Sequence, residues 1–340
     1  MNYRVLVGRL VHLGDECKGD SSRTISFCKQ FAFSSRFLWS PKKLTAALCQ
    51  PVRFDPASDS RRLGRVNGDS GIRERRTATI IMKFNWNEYA AEACGTGFNV
   101  LVGLSAGVFN FSPAFPVAHL IPSQSLRLLL TGLIFAGSGS LFAISPLGKL
   151  SGAHINPSVS LAFFARGKMH PHDFIAYLIA QFIGAIVGAW LLVLIWRQHA
   201  SDVRDGVTAP GPGYPIWFVF LAEVGMTLVL ILAIFAFLSS QRLMRWTPLM
   251  TWMLVATLVW LGAPISGTSL NPARSFGPSL VSWFWSYQWL YWIAPPLGSL
   301  CAVLLFRLLA GDRKVLTAKL FHVAHYPCIF RKIHVPYLKK

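Results

Sequence analysis

The sequence predicts an all-α membrane protein of six transmembrane helices plus two re-entrant half-helices, arranged as an inverted repeat. Three observations carry this expectation. The 340 residues are 53% hydrophobic and only 14% charged, where an ordinary soluble domain is about 25% charged. From Glu88 onward the apolar runs are long enough to cross about 30 Å of hydrocarbon. Two further apolar stretches, 147–166 and 265–283, are too short and too interrupted by Gly, Pro, Ser and Asn to cross, and both carry the same Ser-Gly…Asn-Pro pattern.

The spanning segments read as 88–110, 126–146, 173–196, 215–238, 248–264 and 288–309. Trp217, Trp246, Trp283, Trp285, Trp289 and Trp292 sit at their edges, as an interfacial aromatic belt requires. An even number of spans puts both termini on one side. Basic residues gather before residue 84 and after Arg307, which predicts that this side is the cytoplasm and the bilayer the cell membrane. The formal charge of +19 therefore follows membrane sidedness. A nucleic-acid footprint would instead concentrate its charge on one face or helix, so nucleic acid is not an expected partner.

The organisation expected is a basic N-terminal extension over 1–83, a channel domain over 84–310 with repeats at about 84–197 and 215–310, and a basic cytoplasmic tail over 311–340. The extension lacks an apolar run of spanning length and has no secretory signal pattern. Its Arg and Ser content suits a transit peptide, but Asp15, Glu16, Asp20, Asp55, Asp59, Asp69 and Glu74 argue against one. Two readings remain for it: a cytoplasmic extension without its own core, or sequence preceding a start at Met82. The six cysteines include no Cys-x-x-Cys pair, so no metal or redox framework is expected. No nucleophile–base pair, metal cluster or phosphate loop stands out, which predicts neither catalysis nor a cofactor.

The halves resemble each other. Ala91-Glu92-Ala93-Cys94-Gly95-Thr96 opens the first span and Ala222-Glu223-Val224-Gly225-Met226-Thr227 the fourth. Ser151-Gly152-Ala153-His154-Ile155-Asn156-Pro157 recurs as Ser266-Gly267-Thr268-Ser269-Leu270-Asn271-Pro272. Three spans separate the copies, so the second half is inverted and the broken segments enter from opposite faces. Paired interrupted segments of this kind point to a permeation or binding site. Asn is a strong helix N-cap and Pro suits the first helical position. Each Asn-Pro pair therefore starts a half-helix, and the two N-termini, each carrying about half a positive charge, meet near the midplane. Such a meeting point opposes cations and offers amide donors to a neutral molecule; exclusion by half-helix dipoles or an Arg is a known property of aquaporin-type pores. Glu92 and Glu223 stand in apolar helices, where a carboxylate is costly and has a purpose.

At these residues the chain resembles the major intrinsic proteins, the aquaporins and glycerol facilitators, over 84–310. Asn271-Pro272-Ala273-Arg274-Ser275-Phe276-Gly277-Pro278 matches the second family signature, and Tyr291-Trp292-Ile293-Ala294-Pro295-Pro296-Leu297-Gly298 looks like the family's last helix. The first signature departs in its third position, where Ser158 stands for the usual Ala. The resemblance implies a passive channel for water and other small neutral solutes that excludes ions and protons, assembled as a homotetramer. It makes Asn156, Pro157, Ser158, Asn271, Pro272 and Ala273 the pore motif. It assigns the selectivity filter to Arg274, Val259, Thr268 and Ala136 (or Phe135), and it makes Glu92, Glu223 and His154 supports of the re-entrant loops. Val259 stands where water-selective members carry His, which favours a wider pore, while Ser275 stands where glycerol facilitators carry Asp, which favours the aquaporin branch. The alternatives are a facilitator preferring glycerol, urea or ammonia, a secondary transporter, and a membrane scaffold that conducts nothing.

Overall fold

The computed structural model describes residues 84–311 and 313–335. The readings of the N-terminal extension, residues 1–83, lie outside the described residues. Eight helices carry the architecture: α1 (Trp86–Phe111), α2 (Gln124–Ile144), α3 (Pro157–Ala165), α4 (Pro171–Trp196), α5 (Ile216–Leu238), α6 (Thr247–Ser266), α7 (Pro272–Val281) and α8 (Gln288–Ala310). Six of them, all but α3 and α7, are long and apolar enough to cross a membrane. Among the described residues there is no strand. The all-α fold with six spans and two half-helices is the one the sequence predicts, and each span lies within about two residues of its expected range, since α-helix ends are soft by that amount.

Successive spans alternate in direction. The start of α1 meets the start of α4 where Tyr89 Oη donates to Asp173 Oδ1 at 2.5 Å. We call this the near face; the end of α8 also lies there. On the far face the end of α1 meets the start of α2, where Asn110 Nδ2 donates to Thr131 Oγ1 at 2.8 Å. The half-helix α3 is reached from the near face and α7 from the far face.

The spans are inside-out relative to helices of a soluble protein. On α4 the residues Ile175, Ile179, Ile183, Val187, Trp190 and Leu194 form one stripe at helical spacing, each between 48% and 58% exposed. The opposite stripe, Tyr177, Gln181, Gly184, Ala185 and Gly188, is buried. Lipid competes for large apolar side chains, so helices in a membrane associate through small residues and hydrogen bonds. The two halves use this identically. A Cβ on Gly184 would strike the carbonyl oxygen of Ala93, and one on Gly298 that of Val224. These carbonyls directly follow Glu92 and Glu223, so each glycine sets how closely the sixth and third spans approach the carboxylate-bearing ones.

The segment expected to be a basic cytoplasmic tail is packed. Over 313–335 it folds back beneath the near face, with Val315, Ala318, Leu320 and Phe330 joining the main hydrophobic core. Lys319 is fully buried, its Nζ donating to the carbonyls of Lys149 and Pro327, both at 2.6 Å. Two backbone acceptors satisfy its charge, and burial pushes the ammonium pKa down. Lys168 donates to the Lys332 carbonyl at 2.5 Å, and burial, reinforced by Arg166, Lys332 and Lys314, lowers it to about 8.

Candidate functional site: two half-helices facing across one cavity

Each half-helix begins at its Asn-Pro pair. Asn156 is extended and its Oδ1 accepts from Ser158 N at 2.8 Å; Asn271 is extended and its Oδ1 accepts from Ala273 N at 3.1 Å and Arg274 N at 3.3 Å. Pro157 and Pro272 occupy the first helical positions, where the missing N–H costs nothing. The amide nitrogens then cross over. Asn156 Nδ2 donates to Leu270 O, and Asn271 Nδ2 donates to Ile155 O, both at 2.9 Å. A side-chain amide has two N–H groups. With one of each pair tied to the opposite loop, both amide groups are fixed in direction and one N–H of each remains for a solute.

The loops before the caps are strained in the same way. Gly152, which ends a short helix over Pro146–Ser151, and Gly267, which ends α6, have φ +95° and +73°, the left-handed region that suits glycine. Beyond them Ala153, Ile155, Thr268 and Leu270 also have positive φ, which is unusual for side chains with a Cβ and rare for β-branched ones. The two carboxylates hold this backbone. Glu92 accepts from Ser151 Oγ at 2.8 Å, His154 N at 2.9 Å, Ile155 N at 2.7 Å and Gln181 Nε2 at 2.8 Å. Glu223 accepts from Ser266 Oγ at 2.7 Å, Ser269 N at 2.8 Å and Leu270 N at 2.9 Å. Tyr177 Oη and Tyr291 Oη add matching bonds to the carbonyls of Ser151 and Ser266, at 2.6 and 2.7 Å.

His154 is buried, and both ring nitrogens are engaged. A carbonyl can only accept, so Nε2 donates to Ala318 O at 2.8 Å and Nδ1 accepts from Ser160 Oγ at 3.1 Å. Ser160 in turn receives Gln181 Nε2 at 3.0 Å. The matching network in the second half runs from Thr208 Oγ1 to Ser275 Oγ at 2.5 Å and on to Ser269 Oγ at 2.6 Å.

One cavity of about 580 Å³ runs between the faces and is lined by both caps, Asn156 and Asn271, and by residues 153–155 and 267–270 of the loops. Toward the far face it passes Arg274, Val259, Thr268, Phe135 and Ala136. Arg274 Nη1 donates to Gly206 O at 2.8 Å, and its guanidinium carbon lies 5.6 Å from the centre of the Phe135 ring. A Cβ on Gly103 would strike that ring, so α1 fixes its position. Asn99 Nδ2 further anchors this part of α2, donating to Phe135 O at 2.9 Å and Ser138 Oγ at 2.8 Å. Of the sequence-predicted residues, Pro157, Ser158, Pro272 and Ala273 form the first turns of the half-helices and are not among the residues lining the cavity. Asn156, Asn271, Arg274, Val259, Thr268, Phe135 and Ala136 line the cavity. Glu92, Glu223 and the His154 ring lie behind the loops, with all their hydrogen bonds to protein.

Residues missed by the sequence reading complete the frame. Tyr177 and Tyr291 were marked by the repeat itself: Tyr177-Leu-Ile-Ala-Gln-Phe-Ile-Gly184 aligns with Tyr291-Trp-Ile-Ala-Pro-Pro-Leu-Gly298. Gln181, four residues on, shares the Tyr177 face and could have been found from it. Gly206 and Ala318 act through backbone carbonyls and leave no mark in the sequence.

The sequence profile of the family described as "Major intrinsic protein" matches residues 79–306. Aquaporin Z of Rhodopseudomonas palustris is 31% identical over 237 residues, covering 67% of this chain and 95% of its own length. Aquaporin AqpM of Methanothermobacter marburgensis is 33% identical over 186 residues, covering 52% of this chain and 74% of its own. Among solved structures, the aquaglyceroporin from Plasmodium falciparum superposes with a TM-score of 0.55 at 20% identity, covering 66% of this chain and 97% of its own, a likeness of fold.

Proposed function

The chain belongs to the major intrinsic protein family, and from that premise we propose that it is a passive membrane channel whose main solute is water, with other small neutral solutes admitted and ions and protons refused. The observation that carries this is the pair of crossed caps. Asn156 and Asn271 each spend one amide N–H on the opposite loop and leave the other toward one shared cavity. A water there accepts from both amides through its oxygen, so its own protons point along the conduit in opposite directions and a proton wire is interrupted. The two half-helix N-termini add positive potential at the same place.

Selectivity is assigned to Arg274, Phe135, Val259 and Thr268. Phe135 is preferred to Ala136 because its ring lies against the Arg274 guanidinium. Arg274 repels cations and donates to a solute, with one nitrogen held by Gly206 O. Val259 contributes no donor and little bulk, which supports passage of neutral solutes larger than water. Glu92, Glu223 and the His154 ring act by holding the loops. The reading is of a channel and not of an enzyme. We assign both termini to the cytoplasmic side of the cell membrane; the basic residues Arg166, Lys168, Arg242, Arg245 and Arg313 of the near face support this. Homotetrameric assembly, with one conduit per subunit, is proposed from family membership.

The test is stopped-flow light scattering on proteoliposomes with water, glycerol, urea and ammonia. Water flow well above that of empty liposomes is expected, and equal flow at confirmed insertion would refute the reading. Val259→His should narrow the profile toward water. An unchanged solute preference would count against the filter assignment.

A further inference from the structure

We infer that the C-terminal segment forms the near-face mouth of the conduit, and that Leu320 is a permeability-determining residue which that segment supplies. This rests on the channel reading above and adds a constriction that the repeat does not contain.

The segment is tied to the pore frame at several independent points. Leu316 N donates to Leu238 O at the end of α5 at 2.9 Å, and Leu320 N donates to Gly152 O in the first re-entrant loop at 3.0 Å. Between them Ala318 O accepts from the His154 ring. The Phe330 ring stacks on that imidazole, its centre 5.2 Å from the centre of the His154 ring. Lys319 then locks the turn, because its buried ammonium reaches across to Lys149 O and back to Pro327 O. No carboxylate pairs with it among the described residues. An ammonium removed from water must have its hydrogens satisfied by protein, so the two carbonyls and the turn hold each other in place.

This fixed turn delivers Leu320 to the cavity. Leu320 lines the same conduit as Asn156 and Arg274, at the end where Ala143, Ile234 and Val255 also face it. Leu320 is 8% exposed, packed on most sides, and is one of the residues lining the conduit. Passing water meets an apolar wall there, with a bulk set by one residue that belongs to neither repeat. At the other end the loop containing Thr208 plays the matching part, bonding to Ser275 beside the second re-entrant loop as Ala318 bonds to His154 beside the first. The conduit is therefore finished at each face by a segment outside the repeat. On the near face that segment is the chain's C-terminal strap.

The full chain reconstituted at equal density tests this. Leu320→Trp fills the mouth and is expected to lower water permeability about tenfold, an increase of about 1.4 kcal/mol in the barrier, while Leu320→Ala leaves it at or above the wild-type rate. Both variants matching wild type would overturn the inference while leaving the channel reading intact. A second measurement does not depend on water flow. Leu320→Cys in the purified protein should react with a small methanethiosulfonate reagent, with the adduct assigned to position 320 by peptide mass. A thiol that stays unmodified while the fold is retained overturns the inference even if the wild-type chain conducts nothing, whereas an absence of wild-type water flow by itself defeats only the channel reading.

Discussion

The two re-entrant loops are built from one pattern and finished differently. Each has a Ser-Gly turn, a left-handed stretch, a carboxylate behind it, a tyrosine on its first carbonyl and an Asn cap. The first loop adds Gln181 to its carboxylate, and a His154–Ser160 pair closed by the C-terminal strap. The second has Pro295 at the position matching Gln181, and a Ser269–Ser275 pair closed by Thr208. Three residues past the cap stands Val159 in the first and Arg274 in the second. The shared features hold the backbone. The unshared ones set what the conduit meets at each end, so an inverted repeat yields a conduit lined by Leu320, Ile234 and Val255 toward the near face and by Arg274 toward the far face.

Removing the carboxylates should give the largest effect and rank the two loops. Glu92→Ala strands four donors and Glu223→Ala three. A buried donor left without its partner costs about 1–3 kcal/mol, so both variants should lose water flow and melt earlier, Glu92→Ala more so. Thermal unfolding in detergent checks the order, and equal losses would show that the Gln181 contact contributes nothing.

Next comes the charge asymmetry. Arg274→Val makes the second half resemble the first at this position, and cation conductance across a planar bilayer should appear while water flow persists. Val159→Ala, at the mirror position, should leave ions excluded. Leakage from neither variant would mean that the Asn caps suffice for exclusion, and leakage from both that exclusion does not follow the Arg274 asymmetry.

The smallest effect belongs to the third motif position. Ser158 Oγ is buried with no hydrogen-bond partner, while the matching Ala273 has nothing to satisfy. Ser158→Ala should keep water flow and raise stability by up to ~1 kcal/mol, since an unsatisfied hydroxyl is removed. Ser275→Ala breaks bonds to Thr208 and Ser269 and should lower stability by about the same amount. A destabilised Ser158→Ala would point to a partner for that hydroxyl in the membrane.

Much of this was legible because it is periodic or repeated. Spanning runs announce themselves by length, Asn156 and Asn271 by their prolines, and Glu92 and Glu223 by standing in apolar helices. The choice between Phe135 and Ala136 was not legible, because adjacent helical residues point about 100° apart and counting back through a loop loses one residue easily. The burial of Lys319 was not legible either. Its charge marks solvent in a list of residues, and only the two carbonyls brought to it by folding make burial tolerable.

The six spans, the inverted repeat and the two helix starts could be read from the residues, since they follow from hydrophobic length, duplication and the N-cap chemistry of Asn-Pro. Only the tertiary structure decided that each cap amide crosses to the other loop, that Arg274 rests on Phe135 and Gly206, and that the C-terminal strap carries Leu320 to the conduit. Those contacts join segments up to 170 residues apart, many through backbone carbonyls that every residue possesses, and nothing local in a sequence records which carbonyl will be used.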